Sequence, residues 1–291
     1  MKKKALFMII AAGILWGTSG IFVHNLSPFG ITAVQMTTIR ASVSFLVMVI
    51  FALISDRQIF RVKLKDLWVF PALGISLFFT AFFYYQAMQL TSISTAVVLL
   101  YTDPIFVVTV SALCFKEKFS GTKVIAIAGM LIGGALVSGL VGGMQFDTVG
   151  VLLGIGSAVL YAIYNIVTKI AMIRGVRPES STLYSFLCMT VLGMCICKPS
   201  GIFAAAAADP FPVIPLMIGI GIVTFVIPYS LYTLSMKELP AGTVSALAIM
   251  EPLSGTVFGI VLYHEEMTVF SVIGIVLILA SVILIGRDTK E

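Results

Sequence analysis

Apolar residues in this chain come in blocks about twenty long, parted by short polar or basic breaks. A membrane-spanning helix needs roughly 20 such residues, because it rises about 1.5 Å per residue through about 30 Å of hydrocarbon. By that measure the first half predicts spans at residues 5–23, 31–54, 67–88, 94–115 and 122–141. The second half predicts spans at 149–171, 180–197, 212–236, 243–263 and 268–286. No block alternates as barrel strands do, and backbone groups in lipid must be satisfied within the segment. The expected class is therefore an all-α membrane protein with ten transmembrane helices.

The two halves repeat each other. Moving back 148 positions carries Thr243 onto Thr95, Leu247 onto Leu99, Glu251 onto Asp103, Pro252 onto Pro104 and Glu265 onto Glu117. Tyr232 falls on Tyr84 at the same offset, while an offset of 145 carries Tyr161 onto Trp16 and Lys169 onto His24. The repeats are assigned to residues 1–141 and 149–287, linked near residues 140–143. Five is an odd number of crossings, so the second repeat is expected to be inverted relative to the first.

Charge adds orientation. Of the 18 lysines and arginines, sixteen fall in segments on one side of this topology, Lys198 alone falls on the other, and Arg40 lies within a span. Positive residues accumulate on the cytoplasmic side, so both termini are expected there. The loop around Lys116-Glu117-Lys118 keeps its lysines, whereas its repeat mate His264-Glu265-Glu266, on the other side, has none. The net charge of +5 and pI near 9.0 follow from these loops and need no nucleic-acid partner. A mean hydropathy of +1.11 and 11% charged residues exclude a soluble domain. The N-terminal lysines and apolar run imitate a signal peptide, but the run is too long and is read as an uncleaved first span.

Four residue groups carry candidate chemistry. Asp103 and Glu251 each stand near the centre of a span, where an ionised side chain costs about 2.5–3.5 kcal/mol on insertion scales and so marks a site. They could carry protons or substrate, or could be structural acids bonded across helices. Pro104 and Pro252 follow them, and each should break its helix and free the carbonyl of Leu100 or Ala248. That carbonyl could face a cavity or be satisfied by a neighbouring helix. Arg40, about ten residues into span two, could grip a substrate carboxylate or phosphate, or neutralise one of the acids. Trp16, Tyr84, Tyr85, Tyr101, Tyr161, Tyr164, Tyr229 and Tyr232 are mid-span, where tyrosine is unusual. With Asn165, Gln35 and Gln86 they suggest a polar, aromatic-walled cavity, although helix packing explains any one of them. Glycines at four-residue spacing (Gly13/Gly17, Gly129/Gly133, Gly150/Gly154, Gly255/Gly259) predict close helix packing. His24 and Lys169, at the ends of spans one and six, read as interfacial anchors. Residues 203–212 read as a loop on the membrane surface.

The ordered set of these features resembles the EamA-type transporters of the drug/metabolite transporter superfamily, over nearly the whole chain. The resemblance rests on Gly13-Ile14-Leu15-Trp16-Gly17, Arg40, the acid-proline pairs Asp103-Pro104 and Glu251-Pro252, and the acids ending spans four and nine. It implies ten helices in two inverted five-helix repeats around a central cavity, working by alternating access. It also implies a small metabolite as cargo, such as an amino acid or drug, often moved outward, with protons a possible partner and lipid the surroundings. Ser185 stands where the second repeat would match Arg40.

Other classes find less support. No GxxxxGK[ST] loop is present for ATP, and His24 and His264 stand alone, outside any metalloenzyme spacing. Cys114, Cys188, Cys195 and Cys197 form neither a disulfide framework nor a zinc pattern, so no metal or cofactor is expected. The reading is an inner-membrane secondary transporter. Its alternatives are a facilitative or drug/cation carrier of the same fold or, in a different class, an intramembrane enzyme or receptor.

Overall fold

The computed structural model describes residues 2–91, 93–115, 120–137, 147–263 and 268–288. The acids Glu117 and Glu265 and the linker at 140–143 lie outside the described residues. Those described are helical, with turns and short loops between and no strand among them. Eight helical stretches are long and apolar enough to cross a membrane. Two shorter apolar helices, Gly121–Leu136 and Val269–Ile285, stand where spans five and ten are expected.

The first half is built of α1 (Lys2–Gly17), α2 (Ser19–Leu26), α3 (Ala33–Ser55), α4 (Val69–Leu90), α5 (Ile93–Leu100), α6 (Asp103–Phe115) and α7 (Gly121–Val137). The second is built of α8 (Thr148–Ile173), α9 (Pro178–Ile196), α10 (Pro199–Ala208), α11 (Pro210–Gly221), α12 (Ile227–Glu238), α13 (Ala241–Leu247), α14 (Met250–Tyr263) and α15 (Val269–Asp288). The starts follow local chemistry. Thr32 and Gln35 close a reciprocal capping box on α3, Asp147 caps α8 by accepting from Gly150 N–H at 2.8 Å, and Pro178 opens α9. Gly175, at φ 74°, ends α8 with Val176 N–H bonded to the Ala171 carbonyl.

Residues 203–212 are not a loop. Pro199 opens α10, the run of alanines continues it, and the chain turns only at Asp209 before Pro210 opens α11. Alanine is the strongest helix former, so the segment keeps its backbone bonds paired within a helix.

Three spans are interrupted. Spans four and nine break at Tyr101-Thr102 and at Ala248-Ile249. The prolines sit differently from the sequence expectation: Pro104 and Pro252 lie in the first turn of α6 and α14 rather than inside a continuous helix. There the missing N–H is no loss. The Ala248 carbonyl is taken by the chain itself, through Glu251 N–H at 3.0 Å. Span one breaks at Thr18, which the apolar pattern does not announce. The Thr18 hydroxyl and N–H both bond the Leu15 carbonyl, at 2.6 and 3.1 Å, and this competes with the helical ladder. Span eight is one long helical stretch that widens into a π turn over Ile222–Val226. Pro228 explains it, because its ring displaces the Thr224 carbonyl four residues earlier. Ser44 then donates to the Gly221 carbonyl at 3.0 Å.

Packing between the halves obeys a two-fold. Contact of α1 with α12 has its mate in α8 with α4, α1 with α14 in α8 with α6, and α3 with α11 in α9 with α4. The pairs α3 with α9 and α7 with α15 map onto themselves. Directions are inverted. One face carries Arg57, Arg61, Lys63, Lys65, Arg174, Arg177 and Lys237 and is called the basic face here. Helix α8 starts at the opposite face, where Gly150 packs on Leu90 and Thr91, and ends at the basic face, where Arg174 meets Asp66. Helix α1 starts at the basic face. Its Trp16 meets Tyr232 near the end of span eight, and Phe22 further along meets Gly219 near that span's start.

Candidate functional site

Between the halves lies a cavity of about 420 Å³. Its polar walls are Arg40 from α3, Thr80, Tyr84 and Tyr85 from α4, Tyr101 from the break in span four, Tyr161 from α8, Tyr229 from α12 and Glu251 from α14. Trp16, Ser19 and Val23 close the span-one side, and Leu77, Met88, Met189 and Phe225 supply apolar surface. The cavity starts near mid-span, at Tyr101 and Glu251, and runs along α2 and α4 toward Val23 and Met88, away from the basic face.

Of the residues singled out in the sequence, Trp16, Arg40, Tyr84, Tyr101, Tyr161 and Glu251 line this space. Asp103, Asn165 and Tyr232 do not. They form a fully buried layer on its basic side, with Ser245 as fourth member. Asn165 Nδ2 donates to Asp103 Oδ2 at 2.8 Å, the Ser245 hydroxyl donates to the same oxygen, and the Tyr232 hydroxyl donates to Asn165 Oδ1. Four helices (α6, α8, α12 and α13) are thereby tied across both halves. Asp103 Oδ1 is buried without a partner. Pro104 and Pro252 sit behind the acids, off the cavity wall, and Gln35 is spent on the Thr32 cap and on the Lys198 carbonyl, at 2.9 Å.

The two acids thus share a sequence position and differ in surroundings. Each stands in the first turn of a helix, where the N-terminal end of the dipole favours negative charge. Glu251 Oε2 accepts from the Tyr101 hydroxyl at 2.8 Å at the cavity floor. Asp103 is sealed in.

Arg40 makes no contact ion pair with either acid: among the described residues no carboxylate lies within 4.0 Å of its guanidinium. It donates instead to the Tyr85 hydroxyl at 2.9 Å and to the Thr37 hydroxyl at 3.5 Å, lies 4.8 Å from the Phe225 ring centre, and leaves Nε buried without a partner. Its mate Ser185 is buried and bonded to the Thr182 carbonyl at 2.9 Å. Phe225, Tyr229, Trp16 and Tyr232 form one connected aromatic layer. Phe225 meets Tyr229 at 4.9 Å, Tyr229 meets Trp16 at 5.1 Å, and Trp16 meets Tyr232 at 5.6 Å between ring centres. Phe225 was not foreseen; the Pro228 three residues on, with its displaced carbonyl, is the signal that could have found it.

On the basic side the closure is thick. Lys169, expected as an interfacial anchor, turns inward and donates to the Met236 and Leu239 carbonyls at 2.9 and 2.7 Å, capping the end of α12. Arg174 reaches Asp66 at 2.6 Å, Arg177 reaches Asp56 at 2.8 Å, and Ser180 reaches the Ile59 carbonyl at 2.6 Å. The Gln58 backbone N–H and then the Arg177 guanidinium hold the Asp56 carboxyl below its ordinary range.

The sequence profile of the EamA-like transporter family matches residues 3–139 and again residues 148–287. An uncharacterised transporter of Archaeoglobus fulgidus is 27% identical, the match covering 96% of this chain and 95% of that one. The threonine/homoserine exporter RhtA of Escherichia coli is 26% identical over 72% of this chain and 67% of its own length. A solved crystal structure superposes with a TM-score of 0.78 at 18% identity, covering 100% of both chains, which supports the fold. With the family profile found once in each half, the chain belongs to the EamA-like transporters of the drug/metabolite superfamily and is an integral membrane transporter, not an enzyme.

Proposed function

We propose that this transporter is a secondary carrier of the cell (inner) membrane that exports a small organic metabolite such as an amino acid, by alternating access, with both termini in the cytoplasm. The observation that carries the reading is the one-sided cavity. Arg40 and Glu251 stand in a single aromatic-walled space, while the repeat mate of Glu251, Asp103, lies in the sealed layer on the basic side. With the basic face cytoplasmic, this is the outward-facing state. Exchanging the roles of the two repeats opens the other side. Sites built where helices are broken near the bilayer middle suit a charged solute, because the protein supplies the polar groups that lipid cannot. The similarity to a threonine/homoserine exporter favours an amino acid among small solutes. Glu251 against an aromatic wall also suits a cation, which keeps drug or cation efflux as the second reading.

The test is counterflow. Purified protein in sealed liposomes loaded with unlabelled L-threonine should accumulate labelled L-threonine transiently, and protein-free liposomes should not. No exchange of L-threonine, L-homoserine or any other amino acid, alongside exchange of a cationic dye, would replace the first reading with the second.

A further inference from the structure

We infer that the cavity holds a carboxylate subsite made by Arg40 and Trp16, opposite Glu251, so that the cargo is bound in one orientation with its acid end toward spans one and two. The inference rests on the transport reading above and narrows its substrate class to compounds bearing a carboxylate.

The first ground is the unmet demand of Arg40. A guanidinium cannot shed its proton, and inside a membrane it needs a counter-charge. This one has only neutral partners, the Tyr85 hydroxyl at 2.9 Å, the Thr37 hydroxyl at 3.5 Å and an aromatic face at 4.8 Å, and no carboxylate within 4.0 Å among the described residues. Its Nε–H is buried and unused. The second ground is independent. Trp16 lines the same cavity, is 5% exposed, and has its Nε1–H buried with no acceptor. Indole N–H is donor-only, so whatever satisfies it must bring a lone pair.

The two orphan donors are not scattered. Arg40 lies over Phe225, Phe225 meets Tyr229, and Tyr229 meets Trp16, so one aromatic layer joins them. Glu251 belongs to α14, which packs on α1 at Gly13 and Gly17, and it lines the same cavity as Arg40 and Trp16. A ligand with one acidic and one basic end satisfies both poles at once. A carboxylate also matches the planar fork of arginine better than a lone hydroxyl does. The mate of Arg40 is Ser185, bonded within its own helix, so the acid pole exists in one repeat only. The cavity is thus polar where the fold is two-fold.

The experiment measures thermal shift of the purified protein with L-threonine, with its methyl ester, which keeps only the ammonium, and with N-acetyl-L-threonine, which keeps only the carboxylate. The same three forms of L-leucine control for the side chain. The free acids should bind, and the methyl esters should bind roughly ten-fold or more weakly, the scale of a lost charge-assisted hydrogen bond. Arg40→Gln should cost the acids the same factor and leave the esters unchanged. Arg40→Lys, which keeps the cation and so guards against misfolding, should fall between, and Trp16→Phe should weaken the acids several-fold. Esters that bind as well as acids, acid binding indifferent to Arg40→Gln, or no binding by any carboxylate in the panel overturns the subsite. If N-acetyl acids bind through Arg40 while liposomes exchange no amino acid, the subsite stands and the amino-acid reading falls. If wild type and Arg40→Gln exchange amino acids equally well, the reverse holds.

Discussion

Tyr101 donates its hydroxyl to Glu251 Oε2 at 2.8 Å, linking the broken span of one half to the broken span of the other. Only two residues further along the first chain segment, Asp103 is held by Asn165 and Ser245 in a separate, sealed layer. One acid therefore faces the cavity and the other faces protein.

Glu251→Gln should remove the charge while keeping the Tyr101 bond, so the protein should purify folded. Transport in liposomes should fall to background or lose its dependence on a pH gradient. Tyr101→Phe is the milder partner. It deletes one bond to a charged group, about 1.5–3 kcal/mol, and should weaken rather than abolish exchange. Normal uptake with normal pH dependence in Glu251→Gln would remove this acid from the mechanism.

Lys169→Met should leave the Met236 and Leu239 carbonyls without their charged donor. Charge at a helix C-terminus contributes about 0.3–1 kcal/mol, and the two bonds add to it. The closed basic side should loosen, and Met236→Cys in this background should react faster with maleimide than in the parent protein.

Gly17 meets α14 too closely for a side chain. A Cβ there would lie 2.0 Å from Ser254 Oγ, 2.7 Å from Gly255 N and 2.9 Å from the Glu251 carbonyl. Gly17→Ala should cost about 1–3 kcal/mol by overpacking and lower the melting temperature. Gly20→Ala, with no atom within 4 Å of the new Cβ, should leave melting near wild type. Equal melting of the two variants would refute the close crossing.

Asp56 contributes to the acid sensitivity of the basic face. Its carboxyl is held below the ordinary value by Gln58 N–H and Arg177, so its contribution is complete above that value and is lost as pH falls through the lowered one. The melting difference between wild type and Asp56→Asn should stay constant from neutral pH down to the ordinary carboxylate range, then shrink below it. A difference that already vanishes in mildly acidic buffer would contradict the pairing with Arg177.

Much of this was legible in residue order. Block length gives the spans, and the offset of 148 joins Asp103 to Glu251 and Tyr84 to Tyr232 before any coordinate is known. The mid-span aromatics announce a cavity. What the order of residues does not carry is the choice of state. In an inverted repeat, mates are interchangeable, so nothing local says that Tyr84 and Glu251 line space while Tyr232 and Asp103 are packed. Local breaks were hidden too. Thr18 is an ordinary span residue by hydropathy, and its hydroxyl bond to Leu15 decides the break. For Arg40 the sequence leaves open a substrate anion or one of the acids as partner, and its close contacts to Tyr85 and Phe225 come from tertiary placement that residue order does not carry.

Met88 and Met236, repeat mates at the offset of 148, offer the most direct test of two-sided access. Met88 lines the cavity and Met236 is fully buried. In a background with the native cysteines replaced by serine, Met88→Cys should react with an impermeant maleimide from outside the cell. Met236→Cys should react only from the cytoplasmic side, and only when cargo drives turnover, as Met88→Cys becomes protected. Labelling of both positions from the same side, or labelling of both together without turnover, would contradict the account.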